Sequence, residues 1–382
     1  METISDFDAM IVGAGPAGAS TWLHLHRYAA ALAERTLVIE KAAMPRDKLC
    51  AGGLGAWSDD VLRTLAIDLD IPCLHIPDVE FSHGDQRWRY RTFRPFRMVA
   101  RKDLDHLLWR TAIDRGMRFQ AQEEYLAARE ERAGLTVETS RGRYRLKALV
   151  GADGALSRVR RLMAAPAGIG LAPTLQITAP ADPRYDKEFD RKTLQLELLP
   201  IDSGMQGYIW HCPCLKKGVP HMHHGIVHFR LQPGLPAGRM KTALCRALET
   251  RHIRPASQVW GSHPIRWFSD RAPVSKPHVL LVGDAAGIEP AFGGGLHMAL
   301  SYGELAARAL VQSFADHEFS FGDYAKRLKA HFLGRHIDDY TQLALSLYGG
   351  DPNPLDRVRR FFSRRSEPGD LMALLMGQNR AR

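Results

Sequence analysis

The sequence predicts an α/β protein: a doubly wound parallel sheet that carries an inserted antiparallel β-sheet domain and is followed by a helical C-terminus. Three observations predict this class. The first 40 residues contain a strand, a glycine turn, a helix and a second strand; the middle of the chain changes to short alternating stretches; the last part is rich in helix formers. Strand, helix and strand in this order are typical of a parallel sheet with right-handed crossovers.

The strands of the parallel sheet come from distant parts of the chain. Residues 8–12 (DAMIV) and 36–40 (TLVIE) are apolar and β-prone, and the Ala- and Leu-rich segment between them predicts the crossover helix. Residues 145–150 and 278–282 are similar runs, and each ends in a glycine-bearing turn. We therefore expect these two runs to be further strands of the same sheet.

The inserted domain lies between about residues 165 and 270. Residues 193–199 and 223–229 alternate polar and apolar side chains, which predicts antiparallel strands whose sheet roofs a pocket. From about Leu296 onward the sequence is helical. The predicted boundaries are residues 1–164 for the first part of the nucleotide-binding domain, 165–272 for the substrate-binding sheet, 273–320 for the last part of the nucleotide-binding domain, and 321–382 for the helical C-terminal region.

Length and composition exclude several classes of protein. A chain of 382 residues is long enough for two lobes, and 45% hydrophobic with 25% charged residues excludes a disordered or repeat-dominated chain. No stretch approaches the roughly 18 apolar residues of a membrane span, and the first residues lack a secretory signal. We therefore expect a cytoplasmic enzyme, and five scattered cysteines agree with a reducing compartment.

A net charge of +10 attracts anions but leaves the partner open: nucleic acid, an anionic membrane or a small acidic protein would all satisfy it. Because no nucleic-acid-binding signature accompanies the charge, we do not expect nucleic acid. The arginine-rich tail, with Phe361 and Phe362 between basic residues, suits peripheral contact with anionic lipid; a solvated helix end is the alternative. The tail arginines are Arg357, Arg359, Arg360, Arg364 and Arg365.

Three glycines directly follow the first strand and open the helix. Gly13, Gly15 and Gly18 match the G-x-G-x-x-G fingerprint of Rossmann-like folds, in which the chain turns tightly and approaches a pyrophosphate. Glu40 ends the second strand, where an acid accepts hydrogen bonds from ribose hydroxyls. A glycine turn in an unrelated α/β fold is the alternative. The expected dinucleotide contacts are Gly13, Gly15, Ala17, Gly18, Glu40 and Lys41.

Two further segments indicate whether the dinucleotide is FAD or a nicotinamide cofactor. Residues 151–161 (GADGALSRVRR) and 282–287 (VGDAAG) each follow a strand and place an acid between small residues. With the first motif they resemble the FAD-dependent oxidoreductases of the aromatic-hydroxylase structural class. The resemblance implies that Asp284 contacts the ribityl and pyrophosphate region of FAD. It also implies that Asp153 and Gly154 lie near the pyrophosphate.

The resemblance extends to a conserved arginine. Residues 99–105 (VARKDLD) look like the arginine segment of the class, which implies that Arg101 contacts FAD. No second complete G-x-G-x-x-G follows in the sequence. A permanently bound nicotinamide is therefore not expected, and electrons must come from transiently bound NAD(P)H or from a carrier protein such as reduced ferredoxin.

Three segments narrow the resemblance to the geranylgeranyl reductase family. Residues 45–54 (PRDKLCAGGL) look like its P-R-x-K-x-C-G-G-G-L segment, and residues 207–213 (GYIWHCP) resemble its Y-x-W-x-F-P segment. Residues 283–296 parallel the stretch where backbone amides approach the flavin ring. The further cofactor contacts that these segments imply are Arg46, Lys48, Gly52, Gly53, Gly283, Gly287, Pro290, Gly293, Gly294, Gly295 and Leu296.

Three positions depart from the family pattern. Ala51 replaces the first glycine of its segment, Cys212 replaces the usual aromatic residue, and Gly294 replaces a frequent glutamate. The stretch from Gly283 is also one residue shorter before its proline. These departures fall near the expected substrate, so the resemblance does not predict which substrate is used.

A flavin reductase needs an apolar pocket over the flavin ring and a donor that protonates the carbon opposite the hydride. Cys50, beside Gly52 and Gly53, is the best candidate for a polar group at that face; a small residue that packs under the flavin is the alternative. Tyr208 and Trp210 are two residues apart on a predicted strand, so they point to one side and either wall the pocket or fill the core. The candidate catalytic residues are therefore Cys50, Tyr208 and Trp210.

We expect an FAD-dependent oxidoreductase that reduces C=C bonds of a polyprenyl or other hydrophobic substrate by hydride transfer from reduced flavin. A monooxygenase (hydroxylase) or halogenase acting through a C4a-hydroperoxyflavin is the alternative, because these enzymes share the FAD motifs. A redox-neutral flavin enzyme and a non-catalytic flavoprotein are further alternatives. Cys212 and Cys214 precede three histidines without a standard zinc spacing, so no metal is expected.

Overall fold

The computed structural model describes residues 4–163, 168–199, 204–231, 239–349 and 353–364. The strands are β1 (Ile4–Asp6), β2 (Ala9–Val12), β3 (Thr36–Glu40), β4 (Gly53–Leu54), β5 (Cys73–His83), β6 (Gln86–Val99), β7 (Arg118–Ala121), β8 (Tyr125–Glu131), β9 (Gly134–Thr139), β10 (Arg143–Leu146), β11 (Ala148–Gly151), β12 (Leu171–Ala172), β13 (Thr174–Pro180), β14 (Thr193–Leu198), β15 (Gly207–Lys216), β16 (Val219–His228), β17 (Ile265–Arg266), β18 (Ser275–Lys276) and β19 (Val279–Leu281). The α-helices are α1 (Pro16–Tyr28), α2 (Ala30–Glu34), α3 (Ser58–Thr64), α4 (Arg101–Asp114), α5 (Glu188–Arg191), α6 (Met240–Glu249), α7 (Gly295–Asp316), α8 (Tyr324–Ala330), α9 (Phe332–Leu347) and α10 (Pro354–Ser363).

The parallel sheet has six strands in the order β18-β19-β11-β2-β3-β7. All neighbours from β19 to β7 run parallel, and β18 pairs antiparallel with β19 at one edge. The strands predicted at residues 8–12, 36–40 and 278–282 are confirmed in this sheet. Every residue of β2, β3 and β19 is buried, as expected for a parallel sheet that is covered on both faces.

The run at residues 145–150, predicted as one strand, is two strands. Its first part belongs to β10, in a small sheet of order β1-β10-β9-β8, and its second part is β11 of the parallel sheet. Between them, the amides of Lys147 and Ala148 both donate to the carbonyl oxygen of Asp8, at 2.9 and 3.2 Å. These two bonds hold the chain where it passes from one sheet to the other.

The inserted sheet is larger than predicted and is mixed. Its order is β13-β16-β15-β14-β5-β6-β4, and β14 runs parallel to β5 while the other pairs are antiparallel. Because β4, β5 and β6 come from residues 53–99, the sheet is not confined to the predicted range 165–272. The domain boundaries themselves stay predictions.

Helices cover both faces of the mixed sheet. On one face, Leu244 and Leu248 of α6 pack with Ile209 and Ile226. On the other face, the apolar side chains of β14 and β15 form a cluster with α9 and α10. The predicted helical C-terminal region is therefore confirmed for its described part, up to residue 364, and its remaining residues lie outside the described ranges. Within the described ranges, no helix is long and apolar enough to cross a membrane.

Helices α1 and α7 of the nucleotide-binding part lie in close contact with each other. Ser20 Oγ of α1 donates to the carbonyl oxygen of Leu300 in α7, at 2.6 Å. A Cβ at Gly303 would lie 2.3 Å from the same Ser20 Oγ. The glycine therefore allows the two helices to approach at this point.

Replacing Gly303 by alanine tests this contact. In a helix interior, Gly→Ala alone stabilises by roughly 0.5–1 kcal/mol, so a loss of stability must come from packing. We expect the variant to lose about 1–3 kcal/mol, as is typical of overpacking, with a lower Tm. The matched control is Gly142→Ala, whose added methyl group meets nothing within 4 Å. An unchanged or higher Tm for Gly303→Ala would contradict the close contact.

Candidate active site

A cavity of about 1010 Å³ is lined by residues of both large sheets. All but four of the predicted site residues line it, and the structure thus brings together segments from both ends of the chain. The predicted residues at its wall are Gly13, Gly15, Ala17, Glu40, Lys41, Arg46, Lys48, Cys50, Gly52, Gly53, Arg101, Asp153, Gly154, Tyr208, Trp210, Asp284, Gly293, Gly294, Gly295 and Leu296. Their contacts with a cofactor stay predictions.

The glycine turn closes one end of the cavity. Gly13 has a φ of +105°, and a Cβ there would lie 2.5 Å from the carbonyl oxygen of Ala152. A Cβ at Gly18 would lie 1.9 Å from the carbonyl oxygen of Gly13. Gly18 therefore lets α1 pack on the turn and does not line the cavity, which corrects its expected role. Because no side chain caps α1, its first amides are left for a ligand or for water.

Glu40 is held facing this turn. Its Oε2 accepts a hydrogen bond from the Ala14 amide and its Oε1 accepts one from the Ala42 amide, both at 3.1 Å. Arg46 Nε lies 3.4 Å from Glu40 Oε2. The carboxylate is thus fixed at the carboxyl end of β3, where a ribose hydroxyl of a dinucleotide would be bound.

Two arginines meet at one buried carboxylate behind the cavity wall. Arg101 donates from Nε and Nη2 to the two oxygens of Asp105, at 2.9 and 3.0 Å, and Arg46 Nη1 lies 3.3 Å from Asp105 Oδ2. The side chain of Asp105 has no exposed surface. Asp105 was missed in the sequence, although its i+4 spacing from Arg101 on a helix is the usual sign of such a pair.

Lys48 contacts a histidine that the sequence did not predict. Lys48 Nζ touches His263 Nε2, and His263 Nδ1 lies 2.7 Å from the carbonyl oxygen of Pro264. Since a carbonyl only accepts, Nδ1 carries the proton and Nε2 accepts from Lys48. Burial and the charges of Arg101 and Arg46 lower the pKa of Lys48 to about 8. Burial and Lys48 lower the pKa of His263 to about 4.

The two acids of the FAD motifs differ in their surroundings. Burial raises the pKa of Asp284, while the charges of Arg101 and Lys48 oppose that rise. Asp153 Oδ2 accepts hydrogen bonds from the amides of Arg158 and Val159, at 2.7 and 3.2 Å. Asp153 Oδ1 is buried and has no partner within the described residues. Asp153 therefore shapes its own turn and still has an acceptor left for a ligand.

Three residues predicted as contacts act by packing instead. Gly283 has a φ of +58°, and a Cβ there would lie 2.8 Å from that of Ala17; Gly287 has a φ of +118°, and its Cβ would lie 2.5 Å from Phe268 Cα. Pro290 is buried. None of the three lines the cavity. The two glycines let the motif turn tightly, Gly283 beside the Ala17 side chain and Gly287 beside the Phe268 backbone.

A buried carboxylate shapes the loop that follows. Glu289 accepts hydrogen bonds from the amides of Ala291 at 2.6 Å, Phe292 at 2.9 Å and Gly294 at 2.7 Å. It is 1% exposed and lines the cavity. Glu289 was not among the site residues predicted from the sequence. The available signal was an acid inside a run of small and apolar residues.

Two tyrosines hold the same loop through its carbonyl groups. Tyr208 donates its hydroxyl to the carbonyl oxygen of Phe292, and Tyr348 donates to that of Ala291 at 2.7 Å. Tyr208 and Trp210 point to the same side of β15, as predicted, with ring centroids 6.1 Å apart. The Tyr208 hydroxyl is thus engaged with the loop, while Trp210 walls the cavity.

The other end of the cavity is an apolar chamber, built from aliphatic and aromatic side chains of the mixed sheet and the C-terminal helices. Phe362 of α10 packs on Tyr90 with centroids 4.5 Å apart. The lining side chains of this chamber are Val79, Phe81, Tyr90, Phe96, Leu194, Leu196, Trp210, Phe292, Tyr340 and Phe362. The chamber is continuous with the glycine turn, because all of these residues line one cavity.

Gly294 leaves room for a buried imidazole. A Cβ at Gly294 would lie 2.5 Å from Cε1 of His297. Burial lowers the pKa of His297 to about 3, so its ring is neutral. No side chain larger than hydrogen fits beside this ring without a shift, which gives a physical reason for glycine at this position. His297 was not predicted from the sequence.

No group of three or more His, Cys, Asp or Glu side chains suited to a metal ion occurs in the described parts of the chain. His211 and His224 contact each other through their Nδ1 atoms at 2.7 Å, and burial lowers the pKa of both. The cysteine and histidine residues weighed for zinc therefore belong to the strand pair β15 and β16.

The residues present fit a dinucleotide such as FAD. Uncapped helix amides and the Glu40 carboxylate lie at one end, and the cations Arg46, Lys48 and Arg101 line the cavity. Asp153 Oδ1 keeps an open acceptor. The volume is at the upper end of the roughly 300–1,000 Å³ typical of small-molecule sites, which suits a large ligand.

The fold and the cavity define a flavoprotein oxidoreductase of the aromatic-hydroxylase class. The model of the family described as FAD binding domain matches residues 6–313, so the chain belongs to this family. The matched residues include the glycine turn at Gly13 and the motifs at Asp153 and Asp284.

Relatives at low identity agree with the resemblance to geranylgeranyl reductases. The chain is 24% identical over 387 residues to digeranylgeranylglycerophospholipid reductase 3 of Methanosphaera stadtmanae, covering 92% of this chain and 90% of the relative. It is 24% identical over 345 residues to menaquinone reductase of Mycolicibacterium smegmatis, covering 80% and 76%. The resemblance seen in the motifs is confirmed.

Solved structures share the fold. A geranylgeranyl bacteriochlorophyll reductase-like protein from Thermoplasma acidophilum has a TM-score of 0.73 at 19% identity, covering 94% of this chain and all of that one. PqsL of Pseudomonas aeruginosa, a probable FAD-dependent monooxygenase, has a TM-score of 0.68 at 20% identity, covering 94% and 100%. A variant of the halogenase PltM in complex with FAD has a TM-score of 0.68 at 15% identity, covering 90% and 76%.

The affinity for FAD should depend on the charge of Lys48. Its pKa of about 8 means that the ammonium group loses its proton as the pH rises through that value. We expect the Kd of the apoprotein for FAD, measured by flavin fluorescence between about pH 7 and about pH 9, to rise several-fold. Lys48→Arg keeps its charge in this range and should remove the rise. The same rise in Lys48→Arg would contradict the assignment.

Proposed function

We propose that the protein reduces C=C bonds of a polyprenyl or other hydrophobic substrate, with reduced FAD as the hydride source. The observation that carries this proposal is the continuity of one cavity, which joins the dinucleotide end at Gly13 and Glu40 to the apolar chamber around Leu196 and Phe362. An apolar chain in that chamber would lie next to the redox ring of the cofactor. Relatives named as reductases of polyprenyl lipids and of menaquinone support this class of substrate.

When bound and reduced, FAD supplies the hydride. The chain supplies the rest of the chemistry. Arg46 and Arg101, fixed by Asp105, hold the anionic part of the cofactor, and the apolar chamber keeps water away from the reacting carbon. Cys50 lines the cavity, and its Sγ accepts a hydrogen bond from the Gly52 amide at 3.3 Å. Its thiol is our candidate to donate the proton that completes the reduction, directly or through water.

The proposal includes the source of the electrons that reduce FAD. The chain carries one dinucleotide fingerprint, at Gly13, and that one is used by FAD. NAD(P)H that binds transiently, or a protein such as reduced ferredoxin, is therefore the proposed donor. An acidic donor protein would be attracted by the net charge of +10.

We also propose peripheral contact with an anionic membrane, made by the arginines of the tail without its two phenylalanines. Phe362 packs in the chamber wall and Phe361 packs edge-on against Tyr340, so these rings are not the membrane anchor considered from the sequence. The exposed arginines of α10, Arg357 and Arg360 among them, would supply the contact through charge alone. Arg365 lies outside the described residues.

A monooxygenase or halogenase is the second candidate function. The likeness of the fold to PqsL and to PltM favours it, with TM-scores of 0.68 for both. The aromatic wall of the chamber would accept a phenol or an indole as well as an isoprenoid chain.

Anaerobic discharge of the reduced flavin separates the two functions. The FAD-loaded protein is reduced without oxygen and mixed with a polyprenyl compound in a stopped-flow instrument. We expect the oxidised flavin spectrum to return with formation of the saturated product. If the substrate leaves the reduced flavin unchanged, while air gives a transient adduct absorbance whose decay is accelerated by an aromatic compound, the oxygenase or halogenase is correct.

Cys50→Ala tests the proton donor. We expect the rate of C=C reduction to fall by roughly 10²–10⁴-fold, the usual contribution of general acid catalysis, because no thiol remains to protonate the substrate. Reduction of FAD by the electron donor, measured separately, should stay nearly unchanged. Cys73→Ala, which changes a cysteine that does not line the cavity, is the matched control. Equal turnover in the two variants would leave Cys50 as a packing residue.

A further inference from the structure

Carboxylates at the cavity wall differ in the charges that face them. Glu40 lies 3.4 Å from Arg46, and Asp284 is influenced by the charge of Arg101. Glu289 lines the same cavity and is almost completely buried. In the part of the chain that the structure describes, no lysine or arginine forms an ion pair with it, and the hydrogen bonds that it accepts come from amides of its own loop. Glu289 is thus a buried acid without a countercharge.

The groups that face Glu289 from the neighbouring elements are neutral. Tyr208 of β15 and Tyr348, which follows α9, stay protonated, because burial and the nearby charge of Glu289 raise the pKa of both hydroxyls. His297 of α7, on the other side of Gly294, is neutral because burial lowers its pKa. A further negative charge that arrives in this part of the cavity would therefore meet no cation beside Glu289.

We propose that Glu289 takes up a proton when FAD in this cavity is reduced. The two electrons come from the external donor. One proton from water goes to the cofactor, and a second proton from water goes to the carboxylate of Glu289, which becomes a carboxylic acid. The proposal rests on the FAD-dependent oxidoreductase part of the proposed function and is independent of the substrate.

The physical reason is that two opposing effects set the pKa of Glu289. Burial raises the pKa of Glu289, while the loop amides lower it by stabilising the charged form. A like charge nearby raises the pKa of a carboxyl group further. Glu289 has one pKa with oxidised FAD and a higher pKa with reduced FAD. At a pH between these two values, the protein must therefore bind one extra proton each time FAD is reduced.

The dependence of the midpoint potential on pH measures this proton. For a two-electron couple, each bound proton lowers the potential by about 30 mV per pH unit. We expect the substrate-free, FAD-loaded protein to show a slope near twice that value over part of the pH range in which it stays folded and keeps FAD bound. Over that part of the range, Glu289→Gln should bind one proton fewer per reduction than the wild type. Its potential should lie above that of the wild type at high pH and converge with it at low pH.

The matched control is Glu124→Gln. Glu124 lines the same cavity but pairs with Arg158 and is 41% exposed, so its loss should leave the slope unchanged. Equal slopes in the wild type and Glu289→Gln would overturn the proposal, because the second proton would then bind elsewhere. A single-proton slope in the wild type over the whole range would overturn it as well.

If Glu289→Gln fails to fold or to bind FAD, a second measurement, made on the wild type, tests the proposal. Redox-difference infrared spectroscopy of the wild type, with isotope-labelled glutamate side chains, should show a protonated glutamate band on reduction. Its absence would overturn the proposal, and the label excludes Asp153 and Asp284 as its source. Neither measurement contains a substrate. A protein that reduces no alkene but shows the extra proton would refute the proposed substrate and leave this inference standing.

Discussion

The loop between Gly287 and Gly295 depends on one buried carboxylate, and both large sheets meet at this loop. Glu289 accepts hydrogen bonds from the amides of Ala291 and Gly294, while Tyr208 from the mixed sheet donates to a carbonyl of the same loop. Because an unsatisfied buried amide costs about 1–3 kcal/mol, the loop conformation and the charge are coupled. The shape of the cavity at its junction between polar and apolar ends therefore depends on an ionisable group.

The remaining charges distinguish the two ends of the cavity, because cations line one end while aliphatic and aromatic side chains line the other. Arg46 and Arg101 keep their orientation because Asp105 is buried behind them. A guanidinium held in this way has lost its conformational freedom before a ligand arrives, so binding costs less entropy. The side chains that define the apolar chamber carry no charge, and Arg94, which lines the cavity, is paired with Asp60. A low dielectric constant strengthens the effect of any charge at the edge of such a chamber.

Local patterns in the sequence predicted most of the nucleotide-binding end. Strands β2 and β3, the turn at Gly13 and the acid at Glu40 are set by short segments whose steric demands are visible in the residues themselves. The mixed sheet was only partly predicted, because β6 alternates arginines with aromatic residues and pairs with strands from far along the chain. His263 and Glu289 were missed for a related reason. Their roles depend on which groups from distant parts of the chain lie beside them. A single sequence does not show which distant groups come close in space.

The departures from the geranylgeranyl reductase pattern acquire a physical meaning at the cavity. Ala51 and Cys212 both line it, and a cysteine in place of an aromatic ring leaves more room in the wall. Gly294 replaces a frequent glutamate, and the ring of His297 occupies the space that its side chain would need. The carboxylate has not been lost from this part of the cavity, since Glu289 supplies one from within the loop. The chain therefore keeps an acid in this part of the cavity, five residues before Gly294, while the space around it has a different shape.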